Sequence, residues 1–419
     1  MTQKKRIRDK LFPEGGKIRS WLRIINRFFK SIFSISYLKE QKEKIKEKGW
    51  RVTFIEMKRY MIMGTIAEPQ NIYQKWIELN EPTEKELEDQ RNTKFENNPK
   101  ISIIIPMYNT PVNFFKELVD SLIEQTYSNW ELCLADGSPE KNEELKSIYE
   151  KDSRIKYKFL GENKGIAENT NEALKLATGD YIGLLDHDDL LPKFSLYEIV
   201  KCINKNPEVE FIYTDEDKFE ELGGKRYDPY FKSDFAPDTL RANNFICHFS
   251  IFKKELMDKL EGFRKEFDGA QDYDILLRMS EEAKNIIHIP KILYHWRVHE
   301  QSTAKSGGTA KPYAYEAGIR AIQSHIDRLG LKGTVEHGNT LGTYKINYEI
   351  IGNPKVSIII PNKDYISTLK VCLKSLKKLT TYENYEIIIV ENNSEQEETF
   401  NYYKKIDGKD KIKVVYYPE

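Results

Sequence analysis

The chain holds 419 residues, 39% hydrophobic and 32% charged, with 22 Gly and 16 Pro, which leaves room for two or three domains and excludes a disordered polyelectrolyte or a collagen-like polymer. Its 66 basic residues balance 66 acidic ones, so no global cationic excess points to nucleic acid. Cys133, Cys202, Cys247 and Cys372 lie far apart with no C-x-x-C pair, which argues against a zinc module or a disulfide framework and favours the cytosol.

Charge is uneven along the chain. Residues 1–50 carry 15 Lys/Arg against 5 Asp/Glu, which makes the N-terminal arm the basic part. Within it, residues 17–36 (KIRSWLRIINRFFKSIFSIS) predict an amphipathic helix, with Trp21, Leu22, Ile24, Ile25, Phe28, Phe29, Ile32, Phe33 and Ile35 on one half of the wheel and Arg23, Arg27 and Lys30 on the other. Such a helix suits peripheral contact with an anionic membrane, at the inner face of the cell membrane, and it suits equally well packing on the protein's own body. No apolar run reaches the roughly 18 residues of a membrane span, and Arg27 and Lys30 interrupt the stretch that could serve as a secretory signal.

Residues 39–98 are polar and helix-prone, and Glu81-Pro82-Thr83 predicts a helix start before EKELEDQR. Asn97-Asn98-Pro99 then marks a turn. From Ile101 short β-branched runs alternate with helical segments: ISIIIP, NFFKELVDSLIEQ, WELCLAD, KNEELKSIYEKD, IKYKFL, IAENTNEALKLA and YIGLLD. That alternation predicts an α/β domain with a mainly parallel sheet covered by helices on both faces.

The pattern restarts at Val356. VSIIIP repeats ISIIIP, ISTLKVCLKSLKKL supplies the helix, and YEIIIVENNS matches WELCLADGS; Pro106 to Ser138 spans 32 residues and Pro361 to Ser394 spans 33. An internal repeat of one design follows. The expected organisation is a helical basic region and connector at 1–98, an α/β domain at 99–335, a linker at 336–354, and the N-terminal half of a second such domain at 355–419.

In open parallel sheets ligands bind beyond the carboxyl ends of the strands. Four segments fall there: Pro106-Met107-Tyr108-Asn109, Asp136-Gly137-Ser138, Asp186-His187-Asp188-Asp189 and Thr214-Asp215-Glu216-Asp217. Each alone is a common cap or turn; together they mark a site. Asp186-x-Asp188 places two carboxylates at one strand end, where mutual repulsion is relieved by a hard divalent cation, Mg²⁺ or Mn²⁺. Neither a G-x-x-x-x-G-K-[ST] loop nor a G-x-G-x-x-G after the first strand is present, so a P-loop and a dinucleotide fold are both excluded.

In order and spacing these motifs resemble those of family 2 glycosyltransferases of the GT-A fold, in the branch that builds bacterial surface polysaccharides such as O-antigen, over residues 101 to about 305. The resemblance implies that Pro106, Tyr108, Asn109, Asp136, Asn163, Gly165, Asn169 and Asp186 approach the nucleotide, with Tyr108 stacking on the base and Asp136 hydrogen-bonding it. It implies Asp188 as the direct metal ligand. It makes Asp272, after Gln271 where the family commonly has Glu, the general base, a role that fits the need of an attacking hydroxyl to lose its proton. In Tyr294-His295-Trp296-Arg297-x-His299 it implies diphosphate contacts from Arg297 and His299, with His299 a further metal ligand. Glu216, Asp217, Asn243, Asn244 and His248 are candidate sugar or acceptor contacts.

The implied reaction is a metal-dependent, inverting transfer from a UDP- or dTDP-sugar to a glycan or lipid-linked glycan in cell-surface polysaccharide biosynthesis. A nucleotidylyltransferase would want a Gly-rich basic loop after the first strand, which Met107-Tyr108-Asn109-Thr110-Pro111 does not supply. A catalytically silent nucleotide-sugar-binding or scaffold module is the remaining alternative. The second repeat has Glu391-Asn392-Asn393-Ser394 where D-G-S is expected and lacks a metal motif.

Overall fold

The structure, a computed structural model, describes residues 69–299 and 312–417. The predicted amphipathic helix at 17–36 lies outside the described residues. Among the described residues no helix is long and apolar enough to cross a membrane. They divide into two compact units, one holding the chain up to Gly330 together with Val335–Ile346, the other Leu331–Thr334 and the chain from Asn347.

In the first unit, helix Pro69–Asn80 precedes helix Glu84–Arg91. Thr83 starts the latter through a reciprocal capping box: its hydroxyl accepts from Glu86 N at 3.3 Å while Glu86 Oε2 accepts from Thr83 N at 2.7 Å. The strands then follow as β1 (Ile101–Met107), β2 (Trp130–Asp136), β3 (Ile155–Phe159), β4 (Tyr181–Leu184), β5 (Phe211–Phe219), β6 (Tyr227–Tyr230), β7 (Ser250–Lys253) and β8 (Ile286–Arg297). They form one sheet in the order β3-β2-β1-β4-β7-β5-β6, with β8 beside β5. β1 to β4 are parallel; β7 runs antiparallel between β4 and β5. The α/β expectation holds, and the sheet is mixed because β7 follows the short helix Pro237–Ala242 instead of a full crossover.

Period-two alternation sorts β1 between two faces. Ile101, Ile103, Ile105 and Met107 join Phe115, Leu118 and Leu122 of helix Val112–Ile123, and Ile199, Val200 and Ile203 of helix Ser195–Lys205, in one buried cluster. Helix Ile166–Leu174, with Ala167 and Ala173 buried, packs against β1 and β2. Its small side chains permit close approach. Helix Gln271–Glu282 precedes β8, and helix Pro312–Arg328 packs on it. A hairpin of β9 (Gly333–His337) and β10 (Tyr344–Tyr348) follows.

The second unit is a parallel three-stranded sheet, β11 (Val356–Asn362), β12 (Tyr385–Glu391) and β13 (Ile412–Tyr416), with helices Ile366–Leu379 and Glu397–Ile406. Its register repeats the first: Ile101 faces Trp130 through to Met107 and Asp136, and Val356 faces Tyr385 through to Asn362 and Glu391.

Candidate active site

β1 and β2 end side by side, and the loops that leave them are bonded to each other. Asn109, at φ 48°, gives its N–H to Ser138 Oγ at 2.8 Å. Ser138 in turn gives its N–H and hydroxyl to Asp136 Oδ1 at 2.9 and 2.5 Å. Asp136 Oδ2 accepts from the Tyr157 hydroxyl of β3 at 2.7 Å. Asp136 is therefore buried and fixed in direction, while Tyr108 stands 47% exposed at the rim. Burial, with Asp136 adding to it, raises the Tyr157 hydroxyl above its ordinary range, so it stays a donor.

The loop after β3 closes on this pair. Asn163 Oδ1 accepts from Gly165 N and from Asn169 Nδ2, both at 3.0 Å, and Lys164 N donates to Asn169 Oδ1 at 3.3 Å. Gly165 sits at φ 99°, where a side chain is strained. A Cβ on Gly137 would fall 2.6 Å from Asn169 Nδ2; the glycine of D-G-S is what lets the two loops meet.

The acidic cluster forms where the chain leaves β4. Asp186, Asp188 and Asp189 bring carboxylate oxygens within 4.8 Å of one another. They differ in surroundings. Asp189 is fully buried, accepting from Arg297 N at 2.7 Å through Oδ1 and from the Tyr294 hydroxyl through Oδ2. Burial, then the charges of Asp188 and Asp186, raises its pKa well above the carboxylate range. Both its oxygens are committed, so it organises the turn. Asp188 and Asp186 are partly exposed: His299 Nε2 lies 2.8 Å from Asp188 Oδ2, and His248 Nε2 lies 3.5 Å from Asp186 Oδ2. Of the two late histidines, His299 is the one at the cluster. His295 Nδ1 instead lies 2.5 Å from Asp217 Oδ1.

Asp272 enters from the first turn of helix Gln271–Glu282. Asn244 Nδ2 donates to its Oδ2 at 2.8 Å. Burial raises its pKa, Asp186 adds to the rise, and His248 and Asn244 oppose it. At the departure, Gln271 Oε1 accepts from Gly269 N at 3.0 Å, a bond that a glutamate carboxylate there could also accept. The His248 ring stacks on Tyr294 with centroids 4.6 Å apart and planes at 9°. Glu216 Oε2 accepts from His248 N at 3.4 Å and pairs with the buried Lys232 Nζ at 3.0 Å. Asn243 Oδ1 is buried without a partner.

Two expected contacts face away from the site. Arg297, expected at a diphosphate, is 2% exposed and sandwiched between the Phe114 and Phe219 rings at 4.3 and 4.5 Å. Its Nε donates to the Asp188 carbonyl at 2.6 Å and its Nη2 pairs with Glu117 at 2.6 Å. Desolvation makes a cation stay with these partners; Arg297 holds the acidic turn from behind. Asp217, expected at sugar or acceptor, is fully buried and accepts from the Tyr73 hydroxyl at 2.5 Å, with His295 on its other oxygen. Tyr157 escaped the sequence reading, and Tyr294 entered it only as part of its motif, with no role. Each carries only the ordinary strand signal of a mid-strand aromatic, and its polar partner comes from a distant segment.

A hard cation fits the donors that remain. Asp188, Asp186 and His299 offer two carboxylates and an imidazole on one side of the turn, the mixture Mn²⁺ and Mg²⁺ sites tolerate, and Asp189 fixes their spacing from below.

A mixed sheet with a carboxylate cluster beyond β4, a polar loop pair beyond β1 and β2, and a further carboxylate, Asp272, whose charge the cluster feels, defines an α/β protein with its polar groups gathered at strand ends, where such sheets bind ligands. The model of glycosyl transferase family 2 matches residues 102–261 and 357–419, and the chain belongs to that family. The chain is 40% identical over 324 residues to the uncharacterized protein y4gI of Sinorhizobium fredii, covering 76% of this chain and 35% of that protein. It is 34% identical over 331 residues to the O-antigen biosynthesis protein RfbC of Myxococcus xanthus, covering 78% and 26%, and 27% identical over 315 residues to the hyaluronan synthase of Pasteurella multocida, covering 70% and 31%. It spans between about a quarter and about a third of the length of these curated relatives. Among solved structures, S. aureus TarS 1–349 in complex with UDP-GlcNAc is similar at a TM-score of 0.46 and 21% identity over 54% of this chain and 66% of that one.

Proposed function

We propose that the first unit transfers a sugar from a nucleotide-sugar donor to a hydroxyl of a glycan acceptor in bacterial polysaccharide biosynthesis, with inversion at the anomeric carbon. The observation that carries this is the placement of Asp272, a part-buried carboxylate held by Asn244 at 2.8 Å, where Asp186 of the acidic turn and His248, which lies 3.5 Å from Asp186, act on its charge. Tyr108 and Asp136 face the base of a UDP- or dTDP-sugar; Asn163, Gly165 and Asn169 shape the floor of that pocket, with Pro106 and Asn109 holding the β1 end.

Asp272 takes the proton of the acceptor hydroxyl while that oxygen bonds to the anomeric carbon from the face opposite the diphosphate. The bond from that carbon to the diphosphate oxygen breaks, its electron pair leaves with the nucleoside diphosphate, and the configuration inverts. Asn244 keeps Asp272 in place, and Asp186, His248 and Glu216 border the sugar. Asp188 and His299, with Asp186, would hold a Mg²⁺ or Mn²⁺ ion, which when bound supplies positive charge against the departing diphosphate. Arg297 serves by fixing the Asp188 carbonyl.

A lipid-linked glycan acceptor suits the basic, amphipathic sequence at 17–36, which would bring the enzyme to the inner face of a membrane. The test is a screen of UDP- and dTDP-sugars with Mg²⁺ or Mn²⁺, following release of nucleoside diphosphate. At least one donor should be turned over in a way that EDTA abolishes; absence of both binding and release across the panel defeats the proposal.

A further inference from the structure

The nucleotide loop and the base helix lie about a hundred positions apart in sequence, yet one short segment binds both. Helix Ile166–Leu174 begins at Gly165, which offers no side-chain cap. The missing cap comes from elsewhere: Asp268 Oδ1 accepts from Ala167 N at 3.0 Å. A Cβ on Gly165 would fall 2.2 Å from Asp268 Oδ2, so only a glycine admits this carboxylate.

Further along the same helix, Asn171 is fastened to the same segment by reciprocal bonds. Its Nδ2 donates to Phe263 O and its Oδ1 accepts from Phe263 N, both at 2.8 Å. The other side of the segment is anchored to the base helix. Arg278 Nη2 donates to Gly262 O at 2.7 Å, and Arg264 and Arg278 both pair with the buried Asp274. Asp268 stands four positions before Asp272, and the Gly269–Gln271 bond closes the turn between them.

We infer that Asp268 is a positioning residue that couples the nucleotide loop to the general base, so that the pocket holding Asn163, Gly165 and Asn169 and the carboxylate of Asp272 move as one body. The inference rests on the proposed roles of that loop and of Asp272. Physically, Asp268 occupies the positive end of a nine-residue helix, which both orders the loop and leaves the diphosphate to the acidic turn. Among the described residues, the side-chain hydrogen bonds of Asp268 and Asn171 run to Ala167 and Phe263.

The test uses the full chain with Asp268→Ala, Asp268→Asn and Asp272→Asn. Three quantities are read on each: the Kd of uridine diphosphate and thymidine diphosphate with Mn²⁺, the kcat of nucleoside diphosphate release from the donor found by the screen, and Tm. Asp268→Ala should weaken diphosphate binding and lower kcat, each by about tenfold, as loss of a helix cap allows. Asp268→Asn retains the accepting Oδ1 and should stay within about twofold of wild type on both.

A purely structural role predicts a lower Tm for Asp268→Ala with Kd and kcat of the folded protein unchanged, and that result overturns the inference. Should Asp268→Asn fall as far as Asp268→Ala, the accepting oxygen is not what matters, and the inference also fails. If Asp268→Ala keeps wild-type values while Asp272→Asn loses turnover, the coupling alone is wrong. If Asp272→Asn turns over like wild type, the base assignment falls and the coupling with it.

Discussion

The strand trio β1-β2-β3 and the trio β11-β12-β13 are two solutions of the same sequence pattern. Both carry the loop lock at the carboxyl ends: Asn109 N to Ser138 Oγ and Ser138 Oγ to Asp136 in one, Asp364 N to Ser394 Oγ at 2.9 Å and Ser394 Oγ to Glu391 at 2.7 Å in the other. Both carry the same ionic cluster at the opposite ends. Ser102 and Lys100 meet Glu131 at 2.6 and 2.5 Å, and Ser357 and Lys355 meet Glu386, both at 2.7 Å. What differs is everything the first trio gains from later chain. Where Tyr108 precedes Asn109, Lys363 precedes Asp364, and the Asp364 carboxylate caps helix Glu397–Ile406 through Gln396 N and Thr399 Oγ1. Asp186, Asp188 and Asp272 come from segments with no counterpart among the second unit's described residues. The loop lock at the ends of the first strands and the carboxylates of the later chain are thus separable parts of the fold.

The sharpest way to break this division is Asp188→Ala. It should reduce nucleoside diphosphate release by about 10³ or more, with EDTA producing the same loss in wild type, because the site loses its main cation anchor. Residual activity near wild type in both would mean that the acidic turn does not hold a cation the reaction needs, and that the division is drawn in the wrong place.

Asp272→Asn should lower kcat by about 10² or more while leaving uridine diphosphate binding intact. The pH profile checks the same residue. Burial raises its pKa, so turnover, which needs the ionised form, should fall as pH drops through a value above that of an ordinary aspartate. Asn244→Ala removes a bond that favours the ionised form and should move that limb to still higher pH.

Paired substitutions separate the two loop locks. Asp136→Asn should weaken nucleoside diphosphate binding by about tenfold, since an amide cannot accept from both Ser138 and Tyr157 and still present the same face. Glu391→Gln should leave that Kd unchanged. Equal losses in the two, measured by calorimetry, would show that the second trio also takes nucleotide.

The smallest effect concerns the ionic clusters. Glu131 is 1% exposed; burial acts to raise its pKa, but Lys100, Lys156, Ser102 and the Thr178 N–H outweigh it and hold the carboxyl at about 2. A depressed carboxylate contributes stability that is present above its unfolded pKa and lost as pH falls toward 2. Glu131→Gln should lower Tm by roughly 2–4 °C at pH 7 and by less near pH 3. Glu386 is partly solvated, so Glu386→Gln should move Tm by less than that at either pH.

Much of the fold was legible because it rests on short-range pattern. Ile101, Ile103 and Ile105 alternate toward one buried cluster, Thr83 with Glu86 announces a helix start, and VSIIIP restates ISIIIP. The candidate site was legible where chemistry resides in consecutive residues, as in Asp136-Gly137-Ser138 and Asp186-His187-Asp188-Asp189. It was illegible where a side chain's direction depends on a remote neighbour: Arg297 and Asp217 look like site residues along the chain, and the tertiary structure turns both inward, to Glu117 and to Tyr73.

The sequence by itself determined the alternation of strands and helices, the duplication of the first two strands and the helix between them, and the acidic and polar residues that end the strands, because periodicity and turn chemistry act over a few positions. Only the tertiary structure decided which of Asp186, Asp188 and Asp189 faces solvent, that Arg297 and Asp217 turn inward, and that Asp268 caps a helix a hundred residues away. Those choices depend on burial and on hydrogen bonds between distant segments, whose energies exist only once the sheet has brought them together.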